Sequence, residues 1–316
     1  MKRKLIFCSA VILVLTFITE KSISQTDKYF IYGTVKTFSN HTYRGAIRWG
    51  DEEVYWSDMF NSTKRSNEFI RRLSSKQRRE LRQDSDSYEF FGIEFNSSSS
   101  SIDHTFSCQF GDIRSIYLRG RDNVIVTLRN GREIDVEGGS NDIGTEVTVH
   151  DDELGKVKLK WNRIEEVVFS QTPERIDHGF GRPLYGSVET YYGTFTGLIQ
   201  WDHDERISTD VLDGETRDGE VEIPFGKISV IEERGRGCMV TLKSGREFYL
   251  TGSNDVNDAN RGIIVTIDKI GRVDIEWRDF DKITFSPVPD GLSLSHQDYS
   301  DCRVIKGTVT TDNSDS

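Results

Sequence analysis

The sequence predicts an all-β fold of tandem small β-barrels, two copies of a two-barrel module, with one helical insertion in the first copy. Two features lead there. A long, ordered set of segments occurs twice in the chain, and inside each copy apolar and polar residues alternate at period two between glycine-centred turns.

The duplication runs from end to end of the module. Tyr32-Gly-Thr-Val35 with Gly45, Trp49, Glu53 and Asp58 recurs as Tyr185-Gly-Ser-Val188 with Gly197, Trp201, Glu205 and Asp210. Phe110-Gly-Asp-Ile113 recurs as Phe225-Gly-Lys-Ile228, and Val126-Thr-Leu-Arg-Asn-Gly-Arg-Glu133 as Val240-Thr-Leu-Lys-Ser-Gly-Arg-Glu247. Gly139-Ser-Asn-Asp142 returns as Gly252-Ser-Asn-Asp255, and Trp161 with Val168-Phe-Ser170 as Trp277 with Thr284-Phe-Ser286. The first module is placed at 25–172 and the second at 183–287. A linker and a partial third copy occupy 288–316, where Arg303-Val-Ile-Lys-Gly-Thr-Val-Thr-Thr311 matches Arg182 to Thr190.

The local pattern is that of short antiparallel strands. Val124, Val126 and Leu128 alternate, Asn130-Gly131 reverses the chain, and Ile134 and Val136 return on the same face. Tyr43, Gly45, Ile47 and Trp49 alternate likewise, as do Phe195, Gly197, Ile199 and Trp201. Each copy divides again into two halves of about 50 residues, each a hairpin, a middle strand and a closing strand with an aromatic. This unit resembles the small five-stranded barrels of SH3-like and Sm-like type. The tandem arrangement is similar to a group of uncharacterised exported bacterial proteins with such repeats. The resemblance implies a fold and carries no catalytic motif.

Residues 1–24 read as a signal peptide: Lys2, Arg3 and Lys4, then an apolar run from Leu5 to Ile18, then Ser22 and Ser24 before Gln25. This 14-residue run falls short of the roughly 20 that span a bilayer, and no later run reaches that length. The expected location is periplasmic or secreted, with no transmembrane segment after the leader is removed. The whole chain carries a net charge of −11; the leader holds a net +3 (Lys2, Arg3, Lys4 and Lys21 against Glu20), leaving the mature chain at −14. Such an acidic body repels nucleic acid, which is set aside as a partner.

From Tyr32 to Phe110 the first copy takes 78 residues, where the second needs 40 from Tyr185 to Phe225. The surplus falls at about 62–100. Phe69, Ile70, Leu73 and Leu81 lie near helical spacing between Lys64 and Arg82, a stretch of net charge +6. Arg71, Arg72, Lys76, Arg78, Arg79 and Arg82 are the candidate contacts for an anionic protein or other envelope component; the alternative is a helix lidding the first barrel, its basic face turned to the acidic body.

Other signals are weaker. Three cysteines follow the leader, Cys108, Cys238 and Cys302, so at least one thiol is unpaired; the first two align with buried aliphatic positions. Asn141, Asp142, Asn254 and Asp255 are the candidate calcium ligands, since a hard cation takes clustered oxygens, although Asn and Asp also serve turns. No cofactor motif, zinc spacing or catalytic residue stands out among the six histidines or elsewhere. Trp49, Trp161, Trp201 and Trp277 sit on duplicated strand positions, where core packing explains them better than a sugar platform. The resulting reading is an exported, non-enzymatic binding or scaffold protein. A carbohydrate-binding or carbohydrate-active protein with acidic loops, and a calcium-stabilised envelope protein, are the alternatives.

Overall fold

The computed structural model describes residues 27–64, 88–90, 93–95, 104–120, 123–138, 142–176, 178–268, 270–290 and 292. The chain is all-β: 22 strands and six single 3₁₀ turns, with no α-helix among the described residues. Nor does any helix there have the length and apolarity to cross a membrane. The signal peptide, residues 65–82 of the basic stretch and the partial third copy lie outside the described residues; of the 62–100 insertion, residues 62–64, 88–90 and 93–95 are described, and they are strand.

Module one contains β1 (Tyr32–Thr37), β2 (Thr42–Trp49), β3 (Met59–Lys64), β4 (Tyr88–Phe90), β5 (Ile93–Phe95), β6 (His104–Gln109), β7 (Ile113–Leu118), β8 (Asn123–Leu128), β9 (Glu133–Glu137), β10 (Val147–Asp151), β11 (Gly155–Leu159) and β12 (Ile164–Phe169). Strands β4 and β5 pair only with each other. The remaining ten form one sheet in the order β11-β10-β2-β1-β12-β7-β8-β9-β3-β6.

That order is a palindrome. The first half of the module supplies β1, β2, β3, β6 and β7, with the 3₁₀ turn Phe110–Asp112 before the last strand; the second supplies β8 to β12, with Trp161–Arg163 in the same place. Exchanging the halves leaves the order unchanged. Each five-strand group, β11-β10-β2-β1-β12 or β6-β3-β9-β8-β7, therefore takes two strands from one half and three from the other. The halves interleave rather than standing side by side as barrels, and no sheet closes on itself among the described residues. The cause is local. Only residues 119–122 separate β7 from β8, so the fifth strand of the first half pairs with the hairpin that follows it, and β1 is left to take β12 with Gly33 opposite Phe169.

Module two repeats the design. Its strands are β13 (Tyr185–Thr190), β14 (Gly193–Trp201), β15 (Val211–Thr216), β16 (Gly219–Pro224), β17 (Ile228–Arg234), β18 (Gly237–Leu242), β19 (Glu247–Leu250), β20 (Ile263–Ile267), β21 (Gly271–Ile275) and β22 (Phe280–Phe285). Eight form a sheet in the order β19-β18-β17-β22-β13-β14-β20-β21, and the β15–β16 hairpin touches β19 through Glu215 and Thr251.

Repeated glycines permit the tight bending of these sheets. A Cβ on Gly45 would sit 1.8 Å from the His150 carbonyl oxygen, and one on Gly197 would sit 2.2 Å from that of Thr266. Only hydrogen fits where these strands cross. In the β8–β9 and β18–β19 hairpins, Gly131 and Gly245 both have φ of 84°, in three-residue loops closed by the Leu128 and Leu242 amides donating to the Arg132 and Arg246 carbonyls.

Each module has its own core. Trp49 is fully buried against Phe60, Phe110, Trp161 and Phe169; Trp201 is fully buried against Phe225, Trp277 and Phe280. An indole removed from water contributes about 2–3 kcal/mol or more by area, so the duplicated tryptophans anchor both cores. Tyr29, Phe30, Ala46, Val54, Tyr55, Phe180, Leu198 and Ile207 form a third apolar cluster, at the contact between the modules.

Candidate functional site

The contact between modules is built from one loop used twice. After β2 the chain turns at Gly50 (φ 61°), and after β14 it turns at Asp202 and His203 (φ 45° and 63°). Both loops close with a backbone bond from the tryptophan amide, Trp49 to the Glu53 carbonyl and Trp201 to that of Glu205. Each ends on an aspartate that caps it. Asp58 Oδ2 accepts the Val54 and Tyr55 amides at 2.8 and 2.7 Å, and Asp210 Oδ2 accepts those of Arg206 and Ile207 at 2.7 and 3.0 Å.

Each capping aspartate also pairs across the seam. Asp58, almost fully buried, takes Arg206 Nη1 at 2.8 Å and Arg272 Nη2 at 3.1 Å. Asp210 takes Arg48. Arg206 is itself buried, donates to the Glu52 carbonyl at 2.9 Å and lies 4.7 Å over the Tyr55 ring, whose hydroxyl donates to the Arg206 carbonyl at 3.0 Å. A buried cation paired this way costs much to leave without its partner, so the Arg206–Asp58 pair ties the two modules together.

Beside this lock lies a cavity of about 450 Å³ whose wall includes Glu52, Glu53, Asp142, Asp204 and Arg261. Burial, reinforced by the neighbouring Asp204, pushes the Glu52 carboxyl up to about 7. Burial pushes Asp142 up to about 7 and Glu53 well above the usual carboxylate range. Behind them, Glu205 is pushed up to about 9 and Asp255 to about 6, again chiefly by burial. Arg261 is the counter-charge: it pairs with Asp204, reaches Asp202 Oδ1 at 3.5 Å and Glu52 Oε1 at 4.0 Å. The cavity thus concentrates carboxyl groups that hold protons near neutrality around one guanidinium. A cationic group entering it would supply the counter-charge these carboxyls lack and release their protons.

Of the calcium candidates, Asp142 and Asp255 turn inward. Asp142 Oδ2 accepts the Asn61 amide at 2.5 Å while its carbonyl accepts the Trp49 indole at 2.8 Å. Asp255 repeats this with the Asp213 amide at 2.7 Å and the Trp201 indole at 3.0 Å. Asn254 Nδ2 donates to Asp202, and Asn141 lies outside the described residues. The duplicated aspartate is thus a clamp that fixes the core tryptophan and the adjacent hairpin. Among the described residues no group of three or more His, Cys, Asp or Glu is arranged to hold a metal ion.

Arg71, Arg72, Lys76, Arg78, Arg79 and Arg82 lie outside the described residues. Cys238 is buried and Cys108 half-buried, and burial pushes both thiols up to about 12. Sequence reasoning missed Arg48, Arg206, Arg261 and Arg272. Their signal was available as a break in the repeat: Arg206 stands where module one has Val54, and Arg48 where module two has Gln200. Core positions match between copies, whereas seam positions must complement each other and so diverge. Comparison with protein-family models, curated proteins and solved structures gives no match for this chain.

Proposed function

We propose that the protein is an exported, non-enzymatic binding or scaffold protein, made of duplicated modules whose five-strand, SH3-like or Sm-like units each share strands between halves, and whose acid-lined seam receives a cationic group of a protein or other envelope component. The observation that carries this reading is the cavity at the seam, where carboxyls from both modules converge beside a buried ionic lock. A rigid junction between two modules presents a preformed concave site, the usual place for a ligand. The periplasm or the extracellular medium is the proposed location, and the basic stretch Lys64 to Arg82 a second contact.

The test is capture from a native envelope by the mature chain and by Glu52→Gln/Asp204→Asn. The reading expects a captured component that the wild type retains and the variant loses, with retention falling as salt is raised. Equal capture by both proteins would refute the seam as the binding site.

A second reading, a carbohydrate-active protein, draws on Glu52 and Asp204, a facing carboxyl pair in which Glu52 is pushed up to about 7. Against a sugar platform, Trp49, Trp161 and Trp201 are buried. Loss of glycan hydrolysis in Glu52→Gln, given a wild type that hydrolyses the glycan, is the result this reading requires.

A further inference from the structure

One position separates the two modules more sharply than the rest. Trp56 of module one and Ser208 of module two occupy the same place: the Trp56 amide donates to the Tyr29 carbonyl and that of Ser208 to the Arg182 carbonyl. The Trp56 carbonyl accepts the Gly111 amide as the Ser208 carbonyl accepts that of Gly226. The backbone is therefore the same in both, and only the side chain differs.

In module one the indole is fully buried. Its Nε1 donates to Thr172 Oγ1 at 2.9 Å, its ring meets Phe169 edge-on at 6.0 Å, and Arg129 lies 5.9 Å from its centroid. Module two has no such plug. Ser208 leaves a cavity of about 510 Å³, with Phe225, Phe285, Leu184 and Val288 on its apolar wall. Phe285 stands for Phe169 and Val288 for Thr172. The volume falls in the range of small-ligand sites.

The rim differs in charge as well. In module one burial lowers the pKa of Arg129, and Asp112 in the Phe110-Gly-Asp turn opposes that as its counter-charge. In module two Lys243 takes the place of Arg129, and Lys227 takes the place of Asp112. The Lys243 amide donates to the Lys227 carbonyl, so the two lysines sit together and exposed, and Arg182 borders the same cavity. A chain with an acidic excess has here a small basic rim around an aromatic-sized hole.

We infer that the module-two cavity is a socket for an aromatic side chain, indole or phenol, presented by an acidic segment of a partner protein. Trp56 is the internal template for the occupant: the ring enters edge-on to Phe285, and a cation stands over it. The flanking carboxylates of the incoming segment pair with Lys227 and Lys243, where module one sets the carboxylate of Asp112 beside Arg129. This site is separate from the seam. Failure of the seam variants leaves it untouched, because it uses other residues and another ligand chemistry.

The test uses the mature chain and acetyl-Asp-Trp-Asp-amide carrying 5-fluorotryptophan, followed by fluorine NMR. Wild type is expected to shift and broaden the signal saturably. Acetyl-Asn-Trp-Asn-amide is expected to bind several-fold more weakly, a difference that disappears in high salt. Ser208→Trp supplies the plug in cis: it is expected to weaken binding at least ten-fold while the melting temperature stays equal or rises, which shows that the variant is folded. Equal binding by wild type and Ser208→Trp would overturn the proposal, as would no binding by wild type. Binding that appears only after removal of residues 293–316 would also overturn it. That result would make the occupant the chain's own tail, where Asp298-Tyr299-Ser-Asp301 has the same chemistry.

Discussion

Replacing Arg206 with methionine tests the seam lock directly. The side chain keeps most of its apolar length and loses its charge, leaving Asp58 buried with Arg272 at 3.1 Å and two backbone amides as its remaining partners. Removing one member of a buried ion pair costs about 3–5 kcal/mol. The surviving partners of Asp58 place this case at the lower end, about 3 kcal/mol, or roughly a hundred-fold in the folding equilibrium. The assay is urea unfolding followed by tryptophan fluorescence, since Trp49 and Trp201 report on different modules. Wild type should unfold in one transition. Arg206→Met should lower the midpoint and separate the curve into two steps as the modules uncouple. The companion is Asp58→Asn, which keeps an oxygen for the loop amides and removes the charge; the double variant should recover part of the loss, with a coupling of at least about 1 kcal/mol. A single variant within 1 kcal/mol of wild type, with no coupling in the cycle, would refute the lock.

Other outcomes follow from the same geometry. Glu52, Asp142 and Glu205 have folded pKa values raised to about 7, 7 and 9, so the folded state holds their protons more tightly than the unfolded state. Their contribution is fully present below the unfolded carboxylate pKa and lost as pH rises through those values; the melting temperature should fall between pH 5 and 9, and Glu205→Gln should flatten the fall. Gly45→Ala should abolish soluble expression or cost more than 3 kcal/mol in urea, because its Cβ meets backbone at 1.8 Å. Gly131→Ala, in open space at φ 84°, should cost only about 1–2 kcal/mol. Cys238 should resist a thiol reagent until the protein is unfolded, since it is buried and its thiol is pushed up to about 12. Calcium or a chelator should leave the melting temperature unchanged, because Asp142 and Asp255 are committed to backbone amides.

What could be read from the sequence was local or duplicated. The hairpin around Gly131 and its twin around Gly245 announce themselves by alternation on either side of a turn residue. The twofold occurrence of Trp49, Phe110 and Trp161 marks one core made twice. The interleaving of halves could not be read this way. Pairing of Gly33 with Phe169 joins residues far apart in sequence, and alternation tells which face of a strand is buried without naming its neighbour. The barrels expected from each half therefore became strands shared between halves. The candidate sites divide similarly. The Asn-Asp repeat was visible, but the sequence does not show that Asp142 and Asp255 are buried and hold backbone amides of the Asn61 and Asp213 hairpins. The seam arginines and the Trp56–Ser208 exchange lie where the copies disagree, and a search for agreement passes over them.

The palindromic sheet has a consequence for assembly. Every contact between the two halves of a module is made by one chain folding back at the short turn between β7 and β8, or between β17 and β18. Two molecules that open that turn can trade halves and remake the same hydrogen bonds and the same cores, losing nothing but the turn itself. Such domain exchange is a low-cost route to a dimer. In this fold the exchange is already performed within one polypeptide, so the monomer is in effect a swapped dimer whose two subunits are covalently joined.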